Sequence, residues 1–319
     1  MRRGGIRARL DRRDEVAGIS SRDLEIQQRF SCFFSRPMST RATAPQLVMC
    51  ATTWSMIGYP TAKREWSVER KLREIRAAGF DGVCAYLTPE MATIAGRLGL
   101  RLMSGFDARS VADALPRLKA QRDAGVRFIN IQLLNHDTPP ARSAPVAVQL
   151  IRAARKLGLA VHIETHRDTS TETPEKFDEM ARLYRKSTGE LMPVTWDHSH
   201  FAVSKHMLPP DYSRRLLAWP ELIQASQMFH LRPFNSQHCQ VPVTNGRGTL
   251  TPEFRDYLAF VEDLFACWLS GPRPGGELWV CPEMGMSHGY HVSTDPHAWP
   301  EVVRERRELL GAWRRALKH

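Results

Sequence analysis

The chain has 319 residues, 42% hydrophobic and 25% charged, a globular composition that supplies one large core and excludes a disorder-dominated protein. Its formal net charge is +11, but the first 45 residues alone hold ten Arg against five acidic residues. The rest of the chain has no Lys/Arg run interleaved with aromatics, so the excess reads as a solvated basic face and no nucleic-acid partner is expected.

Six scattered cysteines show no CxxC pair, which excludes a zinc ribbon or thioredoxin-type site and fits reduced thiols in a cytoplasmic protein. No segment approaches the ~20 apolar residues that span a bilayer, so no membrane partner is expected. Residues 1–45 are Arg-rich, yet Asp11, Asp14, Glu15, Asp23 and Glu25 argue against a transit peptide. They are expected to form a disordered tail, with the functional start near Met38 and one domain over 46–319.

From Gln46 onward, apolar runs of strand length alternate with amphipathic helical stretches, the pattern of a parallel sheet with helices outside. The first strand is expected over 46–52, followed by a helix with Leu72, Ile75 and Ala78 on one face, closed by Gly79. Strands follow at 81–87 and 100–105, a helix at 109–124, a strand at 127–134, a helix at 143–157 and a strand at 159–165. Three more strands are expected at 193–197, 225–231 and 277–283, before a last helix at 298–317. Eight strands with intervening helices close a single (β/α)8 TIM barrel. A doubly wound open sheet is the competing architecture, but TTWSMIGYP after the first strand contains no GxGxxG.

Polar residues that end apolar strands point into the mouth of such a barrel. Here they are Glu164 in VHIET, Asp197 in VTWDHSH, His230 in MFHLR and Glu283 in VCPEMG. The first three recur at intervals of 33 residues, close to the roughly 31 that one βα unit takes in a barrel of this class. The longer step to Glu283 contains an extended segment, 233–252, expected to lie over the mouth. Three converging carboxylates repel one another and call for a cation. With an imidazole among them, this donor set suits one divalent metal ion (Mn, Mg, Co or Zn) held by Glu164, Asp197, His230 and Glu283. His200, His166 and Arg232 follow these positions closely and are candidate substrate-binding residues, Arg232 for a phosphate or carboxylate. His162 shares strand parity with Glu164 and belongs one layer deeper, and Trp54 and Tyr290 would wall a sugar ring.

The order Glu, Asp-x-x-His, His, Glu on strands five to eight resembles the xylose isomerase-like TIM barrels, within them the sugar phosphate isomerase/epimerase group that includes the ketose 3-epimerases. The resemblance covers about residues 46–315 and extends to GFDGV at 79–83, after which this chain has Cys84 where that group often has Glu. It implies a small-molecule sugar substrate, a homo-oligomer and a metal-dependent isomerase or epimerase. In that mechanism Glu164 and Glu283 are the catalytic pair that moves a proton beside a carbonyl through an enediolate. A lyase or hydrolase acting on an oxidised sugar would use the same site. An apurinic-site endonuclease would need further His and Asp ligands: LRLMSG offers no His, and the segment after His230 has no Asp-x-His pair.

Overall fold

The computed structural model describes residues 44–290 and 297–318, so the N-terminal tail expectation, residues 44 and 45 apart, lies outside the described residues. Eight parallel strands close in sequence order: β1 Gln46–Thr52, β2 Gly82–Cys84, β3 Arg101–Ala108, β4 Phe128–Leu133, β5 Ala160–Glu164, β6 Val194–Trp196, β7 Met228–Leu231 and β8 Glu277–Pro282. Closure is made by β1 against β8, where Gln46 pairs with Glu277 and Met49 with Val280. This is the expected (β/α)8 barrel.

The helices on the outside are α1 Val68–Ala77, α2 Pro89–Arg97, α3 Val111–Asp123, α4 Pro140–Lys156 and α5 Pro174–Thr188. They continue with the shorter α6 His198–Ser204, α7 Tyr212–Leu216 and α8 Pro220–Ala225, then α9 Pro252–Leu269 and α10 Ala298–Ala316. Several of them start at a side-chain cap: Ser67, Thr88, Ser110, Thr173 and Thr251 each accept a bond from a backbone N–H in the first turn. Apolar faces of these helices pack on the outward residues of the strands, as Leu72 and Ile75 of α1 do.

Inward residues form layers, because alternate positions of a strand face one side. A separate buried cluster of Val48, Cys50, Cys84, Met103, Phe128, Met228, Trp279 and Cys281 fills the barrel interior. The same parity carried upward brings Thr52, Asp107, Gln132, Glu164, His230 and Glu283 to the C-terminal mouth. Gly82 is required by this tight closure: a Cβ there would stand 2.5 Å from the backbone oxygen of Arg101 and 2.8 Å from Cys50 Sγ.

The strand spans differ from the sequence expectation in one consequential place. β3 does not stop at Gly105 but pairs with β4 through Phe106, Asp107 and Ala108. The alternation continues past the glycine, and Asp107 is carried to the mouth on the inward side.

Candidate metal centre and mouth cavity

Glu164, His230 and Glu283 each offer a ligand atom, and these atoms all lie within 4.8 Å of one another. His230 Nδ1 is 2.7 Å from Glu164 Oε1 and 3.1 Å from Glu283 Oε2. The second oxygen of Glu164 accepts a 2.6 Å bond from Asn130 Nδ2. Glu164 is fully buried, whereas the Glu283 side chain keeps 16% exposure and faces an open cavity.

Asp197 stands beside this triad. Its Oδ1 caps α6, accepting from the backbone N–H of Ser199 at 3.0 Å and from its hydroxyl. Its Oδ2 lies 3.3 Å from His200 Nε2 and 3.4 Å from Arg232 Nη2, yet is buried without an aligned hydrogen bond. Arg232 also pairs with Glu283 Oε2 and is itself buried, so it is turned to the carboxylates.

The electrostatics follow from these contacts. Burial opposes ionisation of Asp197, but His200 and Arg232 outweigh it and hold the carboxyl well below the usual aspartate range. Glu283 is depressed in the same way by His230 and Arg232. Burial disfavours a charged His200, yet Asp197 raises its pKa to about 9. The free Cys84 thiol, beside Cys281 and His230, is lowered to about 7 against the opposing effect of its burial.

The donor set fits a divalent ion on the molecule's own terms. Two glutamates and an imidazole converge in a buried mouth, and a third carboxylate oxygen next to them has unused lone pairs. Oxygen with one nitrogen and no thiolate in the triad suits Mg²⁺, Mn²⁺, Co²⁺ or Zn²⁺.

A cavity of about 390 Å³ opens onto the triad and is lined by Trp54, Cys84, Tyr86, Gly105, Phe106, Asp107, Asn130, Gln132, His230 and Glu283, among others. A larger one of about 710 Å³, over the ends of β3 to β5, shares Asp107 and Gln132 with it and contains His166 and Arg167. The smaller is the one that His230 and Glu283 line.

The remaining sequence candidates fall as follows. His166 bonds Tyr290 Oη through Nε2 at 3.1 Å and packs against His200, with ring centroids 4.2 Å apart. His162 is buried below Glu164 beside Phe128, and burial lowers its pKa to about 4. Trp54 and Tyr290 meet edge to face at 5.3 Å. Gly285 lets the chain after β8 pass this wall, since a Cβ there would come within 2.2 Å of the Trp54 ring. The long segment after β7 packs on the chain after β8, where Gln240 clamps Gly285 through both its backbone groups at 2.8 and 3.0 Å, and among the described residues none of 233–252 lines either cavity.

Sequence reasoning missed Asn130, Gln132 and Asp107. The signal was present as two polar residues at alternate positions of FINIQL, and as an aspartate two places after Gly105.

No protein-family model matches the chain, and no curated protein sequence matches it. Solved structures of similar fold are xylose isomerase-like TIM barrel proteins and ketose 3-epimerases. An L-ribulose 3-epimerase is 14% identical with a TM-score of 0.58, covering 86% of this chain and 96% of its own. A xylose isomerase-like TIM barrel protein from Mycobacterium smegmatis, in complex with magnesium, is 15% identical with a TM-score of 0.55 and covers 86% and 98%. A D-allulose 3-epimerase from Methylomonas sp., in complex with D-allulose, is 12% identical with a TM-score of 0.53 and covers 83% and 98%. At these identities the likeness is one of fold.

Proposed function

We propose that this protein is a divalent-metal-dependent isomerase or epimerase of a keto-sugar or related sugar derivative. The observation that carries the reading is the Glu164–His230–Glu283 triad, two members of which, His230 and Glu283, line a cavity with polar side chains. The sugar-epimerase structures of the same fold lend it support.

Glu164, His230 and Glu283 would hold the ion, with Asp197 as the expected fourth ligand. A divalent cation there supplies positive charge beside the oxygens of a hydroxyketone and so acidifies the adjoining C–H. Glu283 is the carboxylate of this set that lines the cavity, and it is placed to take that proton. Glu164, with one oxygen on His230 and the other on Asn130, serves the centre as a ligand and is the second carboxylate of the proposed proton-transfer pair. Asn130, Gln132 and Thr52 present amide and hydroxyl groups to sugar hydroxyls, and Trp54, Tyr86 and Phe106 supply the apolar faces a sugar ring stacks on.

The test is metal content per chain by elemental analysis, beside Asp197→Asn, followed by exchange of carbon-bound hydrogen with D2O across a panel of ketoses. About one ion per chain and exchange on at least one ketose are expected. No ion after reconstitution, or no exchange on any ketose, would sink the proposal.

A further inference from the structure

We propose that the larger cavity, over the ends of β3 to β5, is an anion-binding subsite in which Arg109 and Arg142 hold a phosphate or carboxylate at the far end of the substrate. Its assignment to the substrate rests on the reading above and deepens it: the sugar is a charged derivative, not a free ketose.

Three arginines line this cavity, and each comes from a different loop. Arg109 directly follows β3, Arg142 lies in the first turn of α4 after β4, and Arg167 stands three residues past the end of β5. Arginines spread along one helix face are solvated charges. Here three successive loops at the C-terminal face of the barrel, where such folds bind their ligands, bring them to one concavity of about 710 Å³. A guanidinium presents paired N–H donors in a fixed plane, which matches the oxygens of a phosphate or a carboxylate.

Among the described residues none of the three is ion-paired with a carboxylate. Asp113 accepts from the backbone N–H of Arg109, but its side-chain partner is Arg117. Asp137 and Asp168 share the cavity lining and lie against His136. Asp107, the third acid of the lining, stands where the cavity adjoins the mouth and is suited to accept from sugar hydroxyls. Arg167 is held in place: its Nη2 donates to the His288 carbonyl at 2.9 Å, and its guanidinium lies 4.0 Å from the centre of the Tyr290 ring. Arg109 and Arg142 are bonded only through their backbones, so a ligand's oxygens meet no competitor for their guanidinium groups.

The backbone of the same wall is strained. Leu134 after β4 and Asp168 after β5 both line the cavity and take left-handed conformations, with φ of 60° and 57°. Such conformations are costly for residues with a Cβ and gather at ligand sites.

Two contacts join this cavity to the metal centre. Asp107 and Gln132 line both it and the mouth cavity. His166, also in its wall, packs on His200 with ring centroids 4.2 Å apart, and His200 Nε2 lies 3.3 Å from Asp197. The mouth cavity of about 390 Å³ is already within the range of small-molecule sites, so the larger one beside it has room for a substituent. Arg232, the arginine that the sequence suggests for an anion, is buried against Asp197 and Glu283 and leaves that role open.

The test is calorimetry on the Mn²⁺-loaded full-length protein with fructose 6-phosphate, fructuronate and fructose, and with ribulose 5-phosphate and ribulose. At least one anionic ligand should bind about tenfold or more tightly than its neutral parent, and the phosphate and carboxylate arms show which anion the site takes. Arg109→Gln and Arg142→Gln should each weaken that ligand by about tenfold, the loss expected for one hydrogen-bonded charge. Equal affinity for charged and neutral sugars, no measurable binding of any of the five, or a double variant that keeps the preference would overturn the proposal. The same titrations with a chelator present, beside exchange in D2O, separate it from the assigned function. Exchange on a neutral ketose without any preference for its charged form would sink the subsite and leave the function. A preference that survives the chelator, with no exchange on any ketose, would keep the subsite and sink the function.

Discussion

At the scale of single residues, the mouth is a problem of charge made soluble by contacts. Glu164, Asp197 and Glu283 sit among His230, His200 and Arg232, all six within one largely buried region. Buried ions are tolerated only when paired and bonded, so removing one member leaves its neighbour stranded. The triad makes a direct prediction about metal. Glu164→Gln and His230→Gln should each weaken Mn²⁺ binding by about 100-fold or more if the proposed site is right, since the first removes the charge and the second the imidazole of a proposed ligand. Asn130→Leu should weaken it by about tenfold, because the amide fixes which oxygen of Glu164 turns toward His230. Calorimetric titration with Mn²⁺ separates the two classes. An Asn130→Leu protein that binds Mn²⁺ as wild type would show that His230 alone orients Glu164.

At the scale of elements, the site depends on strands that meet at a fixed height. β2 is three residues long, and its Gly82 lies hard against Arg101 on β3 and Cys50 on β1. Gly82→Ala must push two backbones apart, which should cost about 3 kcal/mol by urea unfolding, at the upper end of overpacking penalties. A loss under about 0.5 kcal/mol would mean the strands separate without strain. The first strand was legible at its full length, because QLVMCAT is an apolar run with clear edges: Pro45 precedes it and the Thr53–Met56 turn follows. β3 was not. Gly105 looks like punctuation in a strand, and local pattern cannot tell a terminating glycine from one that leaves room for a ligand. Helices α2, α5 and α9 were expected only as unspecified stretches between strands, and α6, α7 and α8, at seven, five and six residues, are too short to show a period. The four polar residues at strand ends were readable because each interrupts an apolar run. Asn130 and Gln132 were harder, since they lie inside a strand and their inward direction follows only from the closed barrel.

At the scale of the whole molecule, the last helix completes the wall that the first strand begins. α10 packs along α9, and the contact contains a buried acid: Glu305 is fully buried, takes a 3.2 Å bond from the Tyr257 hydroxyl through Oε1, and has no partner on Oε2. Burial raises its carboxyl pKa well above 4.5, so it holds a proton when folded that it releases when unfolded. In the window between 4.5 and that raised value the folded state binds more protons, so stability must fall as pH rises. Glu305→Gln keeps the shape and an acceptor for Tyr257 but has no proton to lose. The difference between the variant and the wild type should be smallest near pH 4.5, and the variant should gain stability relative to the wild type as the pH rises above it. Urea unfolding of both proteins across that range, with a chelator present so that metal linkage is removed from each, measures the difference. A gap that stays constant across the range would mean that Glu305 ionises in the folded protein as readily as in the unfolded chain, and that the helix pair admits water to it.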